Sequence, residues 1–369
     1  MVKKLWTKGF RNLEEKVFEF SKDEACFVLG DNNQGKTNFL ESLYVLGNGA
    51  SPCDKNLDNV VNFKENETII GGDLFTKNES DKKRIYLKIS KSGDRYAVIN
   101  NKQLNSLSDL KASLNIDFLS ADVLHIFQEN AGFRRKVLDR FCSRRFKDYR
   151  ETLKRYERVL SQKNTILKSR GKEDELKVFN SQLIPLSGQL YRHRITALKE
   201  IEMLLKDFVP TLVLDSPKNT ECIYQLSRQN ALLTDLGYEE WLEDQFHQTK
   251  KKERELGFSI VGIHRDDFDI SIDSKRLYSF YSRGINRAVS ILLVVAQLLC
   301  IEKQTGAFPV LLLDDTFAEI DQKIKKRLAT FLEKKAQLFY CSVLETDKSL
   351  FEKVQILTIN EGRFNLCST

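Results

Sequence analysis

Residues Gly30 to Thr37 read Gly-Asp-Asn-Asn-Gln-Gly-Lys-Thr, a G-x-x-x-x-G-K-[ST] run, and no other stretch restricts the fold as much. An apolar segment, Ala25-Cys-Phe-Val-Leu, precedes it, and an amphipathic one carrying Phe39, Leu40, Leu43, Val45 and Leu46 follows. Strand, glycine-rich loop and helix is the order in which such a run works. The loop amides and the helix N-terminus form a nest for anionic phosphates. Gly30, Asp31, Asn32, Asn33, Gln34, Gly35, Lys36 and Thr37 are therefore candidate ligands of a nucleotide. Lys36 is placed to reach the β- and γ-phosphates of ATP, and the Thr37 hydroxyl to ligate Mg²⁺. The bare pattern also arises by chance, but the flanking strand and helix make chance the weaker reading.

The acid that completes such a site is found far downstream. Val310-Leu-Leu-Leu-Asp314-Asp315 reads as a buried strand that delivers Asp314 to its carboxyl end, next to the magnesium. Alone, a strand ending in Asp-Asp is more often an ordinary junction with a turn. Lys36 and Asp314, however, lie 278 residues apart. Only a phosphate-loop domain split by a large insertion accommodates that distance. The expected organisation is an N-terminal half over 1–140, an insertion over 141–250 and a C-terminal half over 251–369.

The insertion has its own signature. Tyr149, Leu153, Tyr156, Leu160 and Leu167 recur at helical spacing, as do Leu176, Phe179, Leu183, Leu186 and Leu190 after a polar break. A further run, Leu198, Ile201, Leu205 and Phe208, continues out of phase. Two such segments joined by a short turn make an antiparallel helical arm, whose outgoing helix spans roughly 35 Å at the rise of an α-helix. Pro185 should kink the return helix or mark its restart.

Elsewhere the pattern is strand-like at Val17–Phe20, Ile69–Phe75, Ile85–Ile89 and Tyr96–Ile99, with a hairpin turn at Asn100-Asn101. It is strand-like again at Cys222–Leu226, Phe258–Ile263, Phe268–Ile272, Gln337–Val343, Val354–Ile359 and Arg363–Leu366, with a turn at Glu361-Gly362. A charged helix is expected over Leu236–Glu255 and an apolar one over Ala288–Cys300.

Charge adds a candidate partner. Between Arg134 and Lys172 there are 15 Lys and Arg against 4 Asp and Glu, a local excess of +11. The whole chain carries +7, so the remainder stands at −4. Such a segment attracts phosphate backbones by releasing their counterions, although a charge run is as often a solvated helix face. Arg144, Arg145 and Lys147 are the candidate DNA contacts. The seven cysteines, at 26, 53, 142, 222, 300, 341 and 367, form no CxxC pair, which argues against a disulfide framework or zinc site and for a reducing cytoplasm. The most apolar stretch, Ile291–Ile301, falls short of the ~20 residues that span a bilayer, so no membrane role is expected. The N-terminus lacks the apolar core of a secretion signal.

Taken together, Gly30-Asp-Asn-Asn-Gln-Gly-Lys-Thr-Asn-Phe-Leu-Glu-Ser-Leu-Tyr44, Phe10-Arg11-Asn12, Arg134-Arg135 with Leu138-Asp139, Gly262-Ile-His264-Arg265-Asp266-Asp267, Ser282-Arg283-Gly284 and Leu311-Leu-Leu-Asp-Asp-Thr-Phe-Ala-Glu-Ile-Asp321 resemble the motifs of the RecF family. The match runs along essentially the whole chain. It implies an α/β fold, an ABC/SMC-like ATPase head with a Rad50-like first lobe and an inserted helical second lobe. It also implies an ATP-dependent homodimer in which Ser282, Arg283, Gly284 and Asp321 contact ATP held by the other subunit. Asp315 stands where ABC ATPases usually carry Glu, as base or orienter of the attacking water. One methylene fewer predicts slow hydrolysis, so that the protein is a weak ATPase and a switch. The implied partners are double-stranded DNA near single-strand gaps and ss/dsDNA junctions, with RecR and RecO in loading RecA.

Asn33 replaces the usual middle glycine of the loop, and asparagine tolerates φ > 0 better than most residues. Ile285 stands where glutamine often follows the signature glycine. Cys341-Ser-Val-Leu-Glu-Thr offers no switch histidine. His264–Asp267 reads as a structural, salt-bridged turn. The competing readings are an ATPase subunit of a transporter, which the arm and basic segment disfavour, a phage-defence or nuclease-coupled ATPase, and a structural protein with a dead loop. The last would not need Lys36, Thr37 and Asp314.

Overall fold

A computed structural model describes residues 1–21, 23–75, 82–112, 115–119, 124–216, 218–227 and 237–367. The chain divides into two compact units, one of residues 1–124 with 283–369 and one of 125–282.

The first unit is built on two six-stranded sheets. One is antiparallel, from β1 (Val2–Lys8), β2 (Lys16–Glu19), β4 (Glu67–Phe75), β5 (Lys82–Ser90), β6 (Arg95–Ile99) and β7 (Lys102–Gln103), in the order β2-β1-β4-β5-β6-β7. The other contains β3 (Ala25–Leu29), β8 (Ile116–Leu119), β12 (Val310–Asp314), β13 (Gln337–Ser342), β14 (Val354–Asn360) and β15 (Arg363–Cys367), in the order β15-β14-β3-β13-β12-β8. All its pairings are parallel except β14 with β15. Helix α1 (Lys36–Asn48) shares one core with both sheets, through Phe39, Leu40, Leu43 and Leu46 packed with Leu5 and Ile70 on one side and Val28, Leu312 and Phe339 on the other. Strands buried on both faces read as continuous apolar runs, which is why Val310–Leu313 was legible and why it sits deep in the sheet. Strands β1 and β8 were not expected. In β1 basic residues fill the exposed positions of an alternating strand, and β8 has only four residues.

The apolar helix is longer than expected and covers Arg283–Thr305. With mean hydropathy 1.9 over its most apolar stretch it is long and apolar enough to cross a membrane, but 83% of that stretch is buried inside the protein. A helix apolar all round and enclosed by protein is a core helix.

The second unit holds α2 (Ala131–Arg145), α3 (Tyr149–Lys168), α4 (Glu173–Phe208), α5 (Tyr238–Leu256), the short α6 (Leu277–Phe280), and a three-stranded sheet of β9 (Thr220–Gln225), β10 (Asp267–Ile272) and β11 (Lys275–Arg276) in the order β11-β10-β9. The core helix of the first unit is accordingly α7. Helices α3 and α4 form the antiparallel arm, turning at Arg170, whose φ is 52°. The two helices pack on each other, and Tyr156 and Leu167 of one and Leu176, Leu183 and Leu190 of the other are buried. Helix α4 runs unbroken for 36 residues through Pro185. The proline lies on the exposed side, where a missing backbone bond costs least.

Three expectations are corrected here. The unit boundaries fall at 124/125 and 282/283, not at 140/141 and 250/251. Helix α2, capped by the Asn130 side chain on the Phe133 N–H, packs with α4 and β10 and so belongs to the helical unit, as do β10 and β11. Residues 258–263 form no strand. Their amides are taken by side chains, Ser259 N–H by Asn164, Ile260 N–H by Glu253 and Gly262 N–H by Ser227, which leaves no ladder to make. The charged helix starts at Tyr238, and Leu236, its expected start, lies outside the described residues.

The Arg-Arg-x-x-Leu-Asp and His-Arg-Asp-Asp elements meet at the centre of this unit. Arg134 grips Asp267 with two bonds of 2.8 and 2.6 Å, and Arg135 donates to the Asp266 carbonyl at 2.7 Å. Asp266 is fully buried and accepts from Tyr224, Tyr238 and the Ser227 amide. Burial pushes its carboxyl up to about 6. His264 meets the Tyr156 hydroxyl at 2.6 Å, and burial holds its pKa down to about 3, so the ring stays neutral. Groups consumed by one another in a buried network support the fold, and the reading of His264–Asp267 as a structural turn stands.

Candidate nucleotide site

Strand β3 ends at Leu29 and the chain enters the loop at Gly30. A side chain at 30 would lie 2.5 Å from the carbonyl oxygen of Ile359 on β14. Asn33 takes φ 64° and Gly35 takes φ 113°. The asparagine thus occupies the left-handed region it tolerates, and the loop keeps its course without the middle glycine. Lys36 begins α1, and its ammonium turns back to the carbonyls of Gly30 at 2.6 Å and Asp31 at 2.7 Å.

Strand β12 brings Asp314 to the same place. The Thr37 hydroxyl donates to Asp314 Oδ2 at 2.8 Å, joining the loop to the acid across the whole insertion. Between β3 and β12 lies β13, so the strands bearing loop and acid are second neighbours in the sheet. Burial raises the Asp314 carboxyl above its usual range and the Asp315 charge adds to this, while the Thr37 bond and Lys36 pull it back. Asp315 has φ 48° and its amide donates to the Cys341 carbonyl at 3.0 Å, which turns its side chain out of the strand's alternation. Asn32, Asn33, Gly35, Lys36, Thr37, Asn38, Asp314, Asp315 and Val343 line a cavity of about 690 Å³.

The donors suit magnesium and a triphosphate. A hydroxyl and a carboxylate are hard oxygen ligands, and Mg²⁺ characteristically takes one or two protein oxygens and fills its shell with phosphates and water. Among the described residues no group of three or more His, Cys, Asp or Glu is arranged to hold a metal. An ion at Thr37 and Asp314 therefore depends on oxygens brought by the ligand. The ammonium of Lys36, resting on two neutral carbonyls, is available to exchange them for phosphate oxygens.

The remaining candidates lie elsewhere. Ser282 ends one compact unit, and Arg283 and Gly284 start α7 in the other. A side chain at 284 would stand 2.7 Å from the Glu319 carbonyl oxygen, so glycine is required where the turn meets the segment before Asp321. Arg287 bonds the Ala318 carbonyl at 2.8 Å and holds the two segments together. Asp321 caps α8 (Gln322–Glu333) by accepting from the Lys323 amide at 2.9 Å. Neither Arg283, Gly284 nor Asp321 lines the cavity. Arg144 and Arg145 close α2, and Arg145 is bound to Glu200 at 2.8 and 3.0 Å. Lys147 is exposed.

Two features escaped sequence reasoning: the pairing of Arg11 with Glu41, both already named among the motifs, and the place of Val343 in the cavity. Arg11 makes two hydrogen bonds to buried Glu41 of α1, 2.9 Å each, and Ser51 also donates to Glu41. Val343 enters the cavity from the end of β13. The strand order that puts β13 between the loop and the acid carries no local pattern.

The family of RecF/RecN/SMC N-terminal domains matches residues 1–361. A RecF DNA replication and repair protein of Clostridium tetani is 29% identical over 98% of each chain, and one of Clostridium kluyveri is 30% identical over 96% of each. The structure of the recombination mediator protein RecF-ATP in the RecFOR pathway superposes with TM-score 0.83 at 26% identity, over all of this chain and 97% of that one. An Smc head bound to the C-winged helix domain of ScpA shares the fold, at TM-score 0.56 and 15% identity over all of this chain and 97% of that one. A phosphate loop and an acid brought together across an inserted helical unit, and relatives matched from end to end, make this chain a member of the RecF family of DNA replication and repair proteins.

Proposed function

We propose that the protein is an ATP-gated DNA clamp. It binds ATP and Mg²⁺ at the loop, pairs with a second copy around the nucleotide, grips duplex DNA near single-strand gaps, and is reset by slow hydrolysis. The observation that carries this reading is the 2.8 Å bond between Thr37 and Asp314, residues far apart in sequence that complete one oxygen-ligand pair at a phosphate loop. The RecF-ATP relative supports the choice of ATP. The RecFOR pathway to which that relative belongs supports partners of the RecR and RecO kind, and with them we place a role in loading RecA in the cytoplasm.

Within one subunit, Lys36 and the loop amides bind the phosphates, and Thr37 with Asp314 would hold the metal, which neutralises phosphate charge when bound. Asp315 orients the attacking water. The donors of the Ser282–Gly284 turn close the site from a second copy, and Asp321 caps α8 at the same seam. Ser282→Ala therefore leaves ATP binding by the monomer unchanged and removes the ATP-dependent dimer, as read by calorimetry and analytical ultracentrifugation. A variant that dimerised with ATP like wild type would end the shared-site reading.

DNA binding is assigned to the basic segment, and the ion pairs refine which residues carry it. Arg145 is spent on Glu200, whereas Lys147, Arg150 and Lys154 are exposed. Neutralising those three should lower the slope of log K against log salt by about 0.9 for each DNA phosphate they neutralise. An unchanged slope moves the DNA site off this segment.

A further inference from the structure

The hairpin turn between β14 and β15 abuts the nucleotide loop. Glu361 and Gly362 have φ 48° and 81°, the two positive values of a two-residue hairpin turn. In such a turn the two central amides point away from the ladder and need acceptors elsewhere. Both find them on one residue of the loop. The Glu361 amide donates to Gln34 Oε1 at 2.6 Å and the Gly362 amide to the Gln34 carbonyl at 2.8 Å.

The turn is held from behind. Glu14 donates its amide to the Gly362 carbonyl at 3.0 Å and accepts the Phe364 amide at 2.7 Å. A side chain at 362 would stand 1.9 Å from the Asn12 carbonyl oxygen, so the approach requires glycine. Asn12 also accepts from Asn38 at 2.8 Å, and its amide reaches the Gln34 carbonyl at 3.4 Å. Ile359, one strand position before the end of β14, lies under both loop glycines. The loop thus rests on the end of β14, and its one long uncharged side chain points to the turn.

We infer that the Glu361–Gly362 turn is a positioning element of the nucleotide loop, acting through Gln34, and that nucleotide binding is in return felt by the turn. The inference rests on the loop taking a triphosphate. It assigns Gln34 a bracing role, in place of direct side-chain contact with phosphate. A brace fixes the loop amides in their binding geometry, which ATP and ADP both use. Coupling of this kind is reciprocal, so bound nucleotide must stabilise the turn as much as the turn stabilises binding.

The test uses the full chain, with ATP and ADP in Mg²⁺ by calorimetry and amide hydrogen exchange by mass spectrometry. In wild type, ATP should slow exchange at Glu361 and Gly362. Gln34→Ala should weaken ATP and ADP alike, by about tenfold, the size of one hydrogen-bond contribution, and should abolish the ATP-dependent protection of Glu361. Asn12→Ala, a change outside the loop, should weaken both nucleotides in the same ratio. Exchange at the turn that ignores ATP in wild type overturns the inference whatever the variants do. So does a Gln34→Ala protein that binds like wild type, or one that loses ATP but keeps ADP, which would make Gln34 a γ-phosphate ligand. If wild type binds no ATP, or Lys36→Ala binds as well as wild type, the phosphate reading fails and the inference with it.

Discussion

Lys36→Ala weakens ATP binding by at least about 100-fold and leaves no ATP-dependent dimer. Two charge-assisted hydrogen bonds to phosphate, at about 1.5–3 kcal/mol each, multiply to that factor at about 1.4 kcal/mol per tenfold. The fold should survive the change. The ammonium rests on the Gly30 and Asp31 carbonyls, but the loop is also held at Gln34 by the hairpin turn and at Gly30 by Ile359. Lys36→Ala should thus melt within a degree or two of wild type while losing the ligand. Calorimetry and ultracentrifugation with ATP read the loss, and thermal unfolding without ATP reads the fold. Wild-type affinity in the variant would detach the loop from the nucleotide.

Arg194→Met destabilises the second unit by about 3–5 kcal/mol, the cost of leaving one partner of a buried ion pair alone. Arg194 is almost wholly enclosed. It meets Asp139 at 2.7 and 2.9 Å, the Tyr149 and Tyr224 hydroxyls at 3.0 and 3.2 Å, and the Ile263 carbonyl at 2.9 Å. These partners come from α2, α3, β9 and the segment before β10, so one guanidinium ties four elements to α4. Removing it leaves the half-buried Asp139 carboxylate, which keeps the Tyr149 hydroxyl as a donor, without its counter-charge. Lysine does not restore it, because a single ammonium cannot reproduce the planar fork of five donors. Urea unfolding measures the loss, and exchange of α4 amides locates it in 125–282. A variant within 1 kcal/mol of wild type would show the network to be dispensable.

Arg194 also shows where sequence reasoning stops. It lies in the return helix of the arm, among residues whose apolar spacing was evident, and nothing in that spacing distinguishes it from a solvated arginine. Its burial follows from Asp139, Tyr149 and Tyr224, which stand in three other elements. Residues 258–263 misled for a related reason. Phe-Ser-Ile-Val-Gly-Ile has strand composition, but Asn164, Glu253 and Ser227 claim its amides from elsewhere in the chain. Helix α2 was overlooked because its apolar residues, Val137, Leu138, Phe141 and Cys142, are few among charges. Pro185 was expected to disturb a helix that in fact passes through it, since packing on one face outweighs a single missing bond on the other.

By itself the sequence determined the course of the loop, because strand, glycine turn and helix are encoded within some twenty consecutive residues. It determined the arm for the same reason, since helical periodicity is a local property. It placed Lys36 and Asp314 in one domain, because the helical periodicity between them marks an insertion that accounts for their 278-residue separation. Only the tertiary structure decided that β13 separates the two strands, that Arg145 answers to Glu200, and that Gln34 is braced by a turn more than three hundred residues away. These are pairings between elements that share no local pattern. Each is settled by which neighbour happens to offer a partner to a buried donor or charge, and that depends on how the whole chain packs.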